Sequence, residues 1–285
     1  MTDERVSEFL DRSVPRYLAH APFSLCLREL NRLIAIKEFE REFGPFRESV
    51  LDVGCGDGFW WTFLDRAGRR ICGVDISLRE IEQAKKVFDA TALTDVSKQV
   101  PFDGIEFKDL IGNCSLEHVP DIDGALRNLR RSAAEDGRLV LFVPTPTWAL
   151  QGRTQRFLMR SAPRLAMMFA GALNGFFQHW HLYHHSIWAS ILEANGWHVE
   201  SVRGLGGKRS EFLFRLFLPS GLAAFGIKSV TGRYPNKLLA YVPARLLSPF
   251  ITLMKLSLEA PLVDPDDEGA YEYMIVATAG PARAA

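Results

Sequence analysis

The stretch VLDVGCGDG, Val50 to Gly58, sets three glycines at alternate positions directly behind an apolar run. Glycine loses more backbone entropy on folding than any other residue. Three in five positions therefore imply a turn that needs positive φ or a backbone that something approaches closely. An apolar strand that ends in such a turn and leads into a helix is the ligand corner of a parallel sheet. Ligands bind there at the carboxyl ends of the strands.

The rest of the chain keeps the rhythm of that architecture. The glycine turn is expected to open a helix over Gly58–Ala67. RRICGVDIS is a second apolar strand ending at Asp75, and Ser77 is placed to cap the helix LREIEQAKKVF. DLIGNCS reads as a third buried strand, DIDGALRNLRRSA as a helix, and Gly137 opens RLVLFVP as a fourth strand. Strands that are apolar throughout and alternate with helices argue a parallel sheet covered on both faces. Residues 1–48 read as helical, with Leu27, Leu30, Leu33, Ile34 and Phe39 near a 3.6-residue period and Gly44-Pro45 as the stop. In SIWASILEANGWHVESV, Ser186 is the expected cap, Gly196 the stop, and a strand follows; YEYMIVATA, Tyr271–Ala279, reads as a final strand.

The glycine spacing separates two classes of ligand. A dinucleotide fold uses G-x-G-x-x-G, with pyrophosphate on the helix N-terminus. This chain has G-x-G-x-G, with Asp57 inside the turn, a poor neighbour for phosphate. Asp75, at the end of the second strand, can accept both hydrogen bonds of a ribose diol, or simply cap the next helix. Asp52 can position the loop or meet an amino group. A cofactor with a ribose and no phosphate fits, and S-adenosylmethionine is one.

At these residues the chain resembles the class I S-adenosylmethionine-dependent methyltransferases, in particular the small-molecule group called type 11. VLDVGCGDG is similar to their first motif and GVDIS to the acid-bearing second. TDVSKQVPF resembles their Asp-x-x-x-x-Pro-Phe stretch with one extra residue. DLIGNCSLEHVPDIDGALRNLRRSAAEDGRLVLFVP is similar to their fourth strand, Leu-Glu-His turn, helix and fifth strand, apart from Lys108, which intervenes in the usual Phe-Asp pair. The resemblance covers about residues 45–205 and the final strand. It implies a Rossmann-like α/β sheet of seven strands, the last antiparallel, and a cofactor site at Asp52, Gly54, Cys55, Gly56, Gly58, Asp75 and Ile76. It adds Asp95 near the adenine amino group and Asn113 near the methionine end, although Asn113 can equally be a polar strand terminus. The expected organisation is a helical segment 1–48, a core 49–202 with a lid-like segment 151–185, an insertion 203–270, and a last strand and tail 271–285.

Methyl transfer to oxygen usually needs a general base, and histidine suits neutral pH. His118, in LEHV just past a core strand, is one candidate, with a turn-capping role as its alternative. His181, in HWHLYHH, is the other; with Tyr183 it reads as part of a lid or as a solvated hinge. No cysteine or carboxylate lies close in sequence to the later histidines, so no metal site is expected. Four scattered cysteines and the polar start MTDERVSEFLDR suit a cytoplasmic protein.

A net charge of zero hides a segregation, since residues 144–255 hold thirteen Lys and Arg against three acids. Residues 203–255 hold nine of those cations and one acid among apolar runs broken by Pro219, Pro235, Pro243 and Pro249. No run of about 18 uninterrupted apolar residues occurs, so no membrane-spanning helix is expected. Cations among leucine and aromatic residues suit the headgroup region of an anionic membrane. A cover for the acceptor and an oligomer interface are the other two readings of this insertion. Nucleic acid is disfavoured, because few aromatics are spaced for base stacking and the Asn/Asp-Pro-Pro-Tyr signature is replaced by NCSLEH. The expected function is O-methylation of a small or lipid-linked acceptor, with peripheral attachment to the inner membrane face. A non-catalytic cofactor- or membrane-binding protein on the same fold is the alternative.

Overall fold

The computed structural model describes residues 3–150, 153–236, 241–258 and 262–280. The start of the lid-like segment at 151–152, Pro261 and the tail from 281 lie outside them. Two compact units are present. One comprises 44–204, 264–266 and 271–285; the other comprises 1–43, 205–263 and 267–270.

The sheet is built from β1 (Ser49–Val53), β2 (Arg70–Asp75), β3 (Ala90–Leu93), β4 (Phe107–Asn113), β5 (Ala133–Pro144), β6 (Trp197–Gly206), β7 (Leu262–Val263) and β8 (Ala270–Ala279). Its order is β3-β2-β1-β4-β5-β8-β6-β7. β1 lies between β2 and β4, parallel to both, and β8 runs antiparallel to β5. The expected doubly covered α/β sheet with an antiparallel late strand is therefore present, with the two-residue β7 added to the seven expected strands. Val50, Leu51, Ile71, Cys72, Leu110 and Ile111 have no exposure, as strands covered on both faces require. The strand order reverses between β1 and β4, which opens the crevice of such a sheet at their carboxyl ends.

Local chemistry sets most element ends. α4 (Ile122–Ser132) starts where the Asp121 carboxylate accepts the Gly124 N–H at 2.9 Å. It buries Ile122, Ala125, Leu126 and Leu129 as one stripe. Four sequence expectations need correction. The helix expected over Gly58–Ala67 is a five-residue 3₁₀ turn, Phe59–Phe63, because Trp60, Trp61 and Phe63 all require burial and a turn at Asp65–Ala67 ends the segment. α3 (Leu78–Ala84) stops before Phe88, whose ring packs beneath the glycine turn. β5 begins at Ala133 rather than at Gly137. α7 (His185–Ala194) is capped by His184, whose ring accepts the Ser186 N–H, so Ser186 is the second residue of the helix and not its cap.

The second unit pairs helices from both ends of the chain. α8 (Lys208–Thr231) lies along α2 (Phe23–Phe43), and α9 (Ala244–Ser257) along α1 (Asp3–Leu18). Gly221 permits the close approach of α8 to α2: a Cβ there would lie 2.2 Å from Ser24 Oγ. Phe23 contacts Phe217 and Phe250, with ring centroids 4.2 and 6.2 Å apart. Two prolines expected to break the insertion sit inside helices instead, Pro219 in α8 and Pro249 in α9. α8 also corrects the membrane expectation. It is long and apolar enough to cross a membrane by length and composition, and only 17% of its apolar window is buried. Counting uninterrupted apolar residues misses it, because Arg215, Ser220 and Pro219 interrupt the run without ending the helix.

Candidate active site

The three glycines behind β1 meet three different demands. Gly54 (φ +73°) has no room for a side chain, since its Cβ would lie 2.3 Å from Ser115 Cβ. Gly58 (φ +75°) is closed in the same way by Phe88, 2.6 Å from such a Cβ. Gly56 (φ +54°) has nothing within 4 Å of that position, so its backbone borders open space. Asp75, at the end of β2, holds the turn: its Oδ2 accepts the Gly56 N–H at 3.0 Å and its Oδ1 the Ser77 N–H at 2.8 Å. Asp57 Oδ1 accepts the Phe59 N–H at 3.0 Å, so a carboxylate occupies the place where a dinucleotide fold would seat pyrophosphate. Asp52 is buried and takes the Trp61 indole N–H at 2.7 Å, which pins the aromatic turn to β1. Cys55 packs against Gly73, and burial, reinforced by Asp52 and Asp75, pushes its thiol well above the usual range. It is a packed thiol and not a nucleophile.

A cavity of about 300 Å³ opens at this end of the sheet. It brings together Gly54, Asp75, Ile76, Asp95 and His118 from among the expected site residues. Asp52, Cys55, Gly56, Gly58, Asn113 and His181 are not in its lining. Ile76 is 77% exposed, an apolar surface next to Asp75 on which a flat ring can lie. Asp95 is held below the usual carboxylate range by Lys98, at 2.8 Å, and by the Ser97 hydroxyl at 2.6 Å and N–H at 3.1 Å. Thr94, Val96, Cys114 and Ser115 also line the cavity and were missed. The one signal for Ser115 was Gly54, which is glycine because Ser115 lies against it. Among the described residues two carboxylates line the cavity and no Lys or Arg does.

The histidines divide by geometry. His118 lines the cavity, with Nδ1 3.2 Å from the Gln178 carbonyl and Nε2 3.7 Å from Glu117 Oε1. His181 is buried with both ring nitrogens engaged: Nε2 donates to the Val119 carbonyl at 2.8 Å, and Nδ1 accepts from the Tyr183 hydroxyl at 3.1 Å. The Glu117 carbonyl accepts the N–H groups of Trp180 and His181 at 2.8 and 3.2 Å, which clamps this segment to the turn Leu116–His118. His184 and His185 both meet Asp266 at 3.1 Å.

These residues suit S-adenosylmethionine. A carboxylate at the end of β2 faces a cavity beside an open glycine backbone, and the one lysine at its edge, Lys98, is paired with Asp95 among the described residues. Comparison with known proteins agrees. A family model described as a methyltransferase domain matches residues 17–202. Over 113 residues the chain is 32% identical to the ubiquinone biosynthesis O-methyltransferase of Actinobacillus pleuropneumoniae serotype 5b (strain L20), covering 36% of this chain and 47% of that protein. With the protein of the same name from Yersinia enterocolitica serotype O:8 it shares 25% identity over 148 residues, covering 48% and 61%. The chain thus spans about half the length of the curated relatives it matches. Among solved structures it is similar to the [4+2]-cyclase SpnF, with TM-score 0.51, 16% identity, and coverage of 88% of this chain and 82% of that one. The YcgJ protein from Bacillus subtilis gives TM-score 0.51 and 15% identity, with coverage of 89% and 99%. At such identities the likeness is one of fold, and a fold named once for a cyclase does not by itself specify methyl transfer. The family match covers well over half of the chain, and together with the sheet order and the glycine turn it makes this chain a member of the methyltransferase-domain family, a class I S-adenosylmethionine-dependent methyltransferase.

Proposed function

We propose that the chain methylates a hydroxyl oxygen of a small or lipid-linked acceptor and works at an anionic membrane surface. The observation that carries the first half is the cavity wall, where the carboxylates of Asp75 and Asp95 and the imidazole of His118 converge. S-adenosylmethionine supplies the methyl group on a sulfonium sulfur, so the carbon is electrophilic before the protein acts. In this reading Asp75 takes the ribose diol, Asp95 the adenine amino group, and the backbone of Gly54 and Gly56 admits the methionine end. Holding the acceptor oxygen in line is the main task left to the protein. His118 is the side chain assigned to activating that oxygen, because it alone among the described histidines lines the cavity. The curated relatives are named O-methyltransferases, which supports oxygen as the acceptor atom.

The test is transfer of radiolabelled methyl to phenols and catechols with and without long alkyl tails. His118→Ala should lower kcat by about 10²–10⁴-fold, with the affinity for S-adenosylmethionine unchanged. Labelling of amines alone would sink oxygen as the target. Unaltered turnover in the variant would remove His118 from the chemistry.

The membrane half rests on the second unit by itself. Phe212, Leu216, Phe225 and Val230 on α8, and Leu246, Phe250 and Leu253 on α9, are exposed. Lys208, Arg209, Arg233 and Arg245 are exposed beside them in sequence. Each cation near an anionic leaflet contributes on the order of 1 kcal/mol, and the apolar side chains can enter the headgroup region. The protein is therefore expected to float with vesicles containing phosphatidylserine and to be released in part by 0.5 M salt, about three times physiological ionic strength. Equal flotation with neutral vesicles would assign the contact to α8 and α9 apolar surface alone; no flotation with either would leave these faces to another use.

A further inference from the structure

Two consecutive histidines converge on one carboxylate at the start of α7. His184 Nε2 and His185 Nε2 each lie 3.1 Å from Asp266 Oδ1, although Asp266 stands 82 and 81 positions further along the chain. All three belong to one compact unit. Side chains of adjacent residues ordinarily diverge, because neither helix nor strand sets i and i+1 on one face. Here the backbone changes course between them: His184 is the cap, extended at φ −62° and ψ 149°, and His185 opens the helix. The two ring centroids end 4.1 Å apart. Each ring is braced from behind. His184 Nδ1 is 2.9 Å from Ser186 Oγ, and the His185 ring stands edge-on to Tyr273 at 5.6 Å. The carboxylate is placed by its own turn, in which Asp264 Oδ1 accepts the Asp266 N–H at 2.9 Å.

The spacing is that of a coordination shell. One donor atom from each of the three residues lies within 4.8 Å of the other two. Metal bonds of about 2.0–2.2 Å, opened by about 90–109°, separate neighbouring ligand atoms by about 2.8–3.6 Å. The two 3.1 Å separations are edges of such a polyhedron. The local charge favours a cation as well. Asp264, Asp266, Asp267 and Glu268 put four carboxylates into five residues, and the positive end of α7, equivalent to about half a charge, offsets only part of them. Without metal both Nε2–H groups donate to Oδ1. With it, each ring carries its proton on Nδ1 instead, where at His184 the Ser186 hydroxyl can accept it. That contact is the outer support that metal-ligating histidines ordinarily have.

We propose that His184, His185 and Asp266 bind a divalent transition-metal ion of the zinc class, with water completing its coordination. Two imidazole nitrogens select this class over calcium and magnesium, which take oxygen ligands. The solvent-open side of the site gives the ion its way in. The ion is a clip and not a reactant. His181, three residues ahead of His184, donates to the Val119 carbonyl, and Val119 lines the cavity. Metal at His184 and His185 fixes the far end of a segment whose near end borders the cavity. The site stands independently of the acceptor that is methylated.

The experiment uses the full chain, dialysed against EDTA and titrated calorimetrically with Zn²⁺ alone. The wild type should bind one equivalent at this site. His184→Asn keeps a side chain suited to the helix cap, so it tests the ligand and not the helix. It, His185→Gln and Asp266→Asn should each weaken that binding by about tenfold or more, with unaltered circular dichroism. His198→Ala, at an exposed histidine of β6, should change nothing. At a Zn²⁺ concentration that saturates only the wild type, hydrogen exchange over residues 181–188 should slow in the wild type and not in Asp266→Asn. Absence of saturable Zn²⁺ binding in the wild type, or binding indifferent to all three ligand variants, overturns the site. Zn²⁺ bound there without slower exchange overturns the clip.

Discussion

Asp75→Ala is expected to weaken S-adenosylmethionine and S-adenosylhomocysteine binding by at least about a hundredfold, from two charge-assisted hydrogen bonds at ~1.5–3 kcal/mol each. Each oxygen of Asp75 already accepts one backbone N–H, from Gly56 and from Ser77, and keeps a lone pair that can face the cavity. A vicinal diol matches that pair of acceptors. The same substitution releases the Gly56 N–H, so part of the loss comes through the turn. Asp75→Asn separates the two effects: one amide oxygen can still hold Gly56, while the second acceptor for the diol is gone. Calorimetric titration of the wild type and both variants should show a large loss in each, greater in Asp75→Ala. NAD should bind none of them, since Asp57 closes the start of the aromatic turn to phosphate. Binding of NAD by the wild type, or undiminished S-adenosylmethionine affinity in both variants, would overturn the ribose assignment.

The glycine turn and the carboxylate beside it were legible because their determinants are local. Val50–Gly58 is contiguous, and the separation of Asp75 from it is set by one strand–turn–strand passage. The spacing G-x-G-x-G and the position of Asp57 carried the distinction from dinucleotide folds. The individual roles were less legible. Asp52, Cys55 and Gly58 support the turn from beneath, through Trp61, Gly73 and Phe88, and only the packed structure reveals those partners. The turn after β4 was the least legible, because it depends on contacts between residues some 60 positions apart. His118 meets the Gln178 carbonyl and His179, and Glu117 is clamped by Trp180 and His181. The helical insertion was misjudged for a different reason. Pro219 and Pro249 are ordinarily helix breakers, yet α8 and α9 carry them within regular helix, and packing on α2 and α1 fixes those helices against propensity.

The opposite end of the sheet carries the largest expected effect on stability. Asp109 has no exposure at the start of β4. Its oxygens take Arg138 Nε at 2.7 Å and a second Arg138 nitrogen at 3.0 Å, together with the backbone N–H and guanidinium of Arg47, the latter at 2.8 Å. Burial works against its charge, but the hydrogen bonds from Arg138 and Arg47 outweigh it and hold the carboxyl below the usual range. Arg47 continues to Asp136 at 3.1 Å, and Lys108 meets the same carboxylate at 2.7 Å, so the lysine that departs from the family pattern is absorbed into this network. Asp109→Ala takes the carboxylate from the buried Arg138 guanidinium and one of its two carboxylates from Arg47, a loss of about 3–5 kcal/mol at pH 7. The sign with pH follows from the lowered folded-state pKa. The carboxylate stabilises above its unfolded value of about 3.9, and that contribution is lost as pH falls through the lower folded value. Urea unfolding followed by circular dichroism should thus show a gap between wild type and variant that is wide at pH 7 and narrows steadily below about pH 4. A gap independent of pH would mean that Asp109 stabilises by packing rather than by charge. No gap at all would mean that Arg47 and Arg138 find other partners once it is gone.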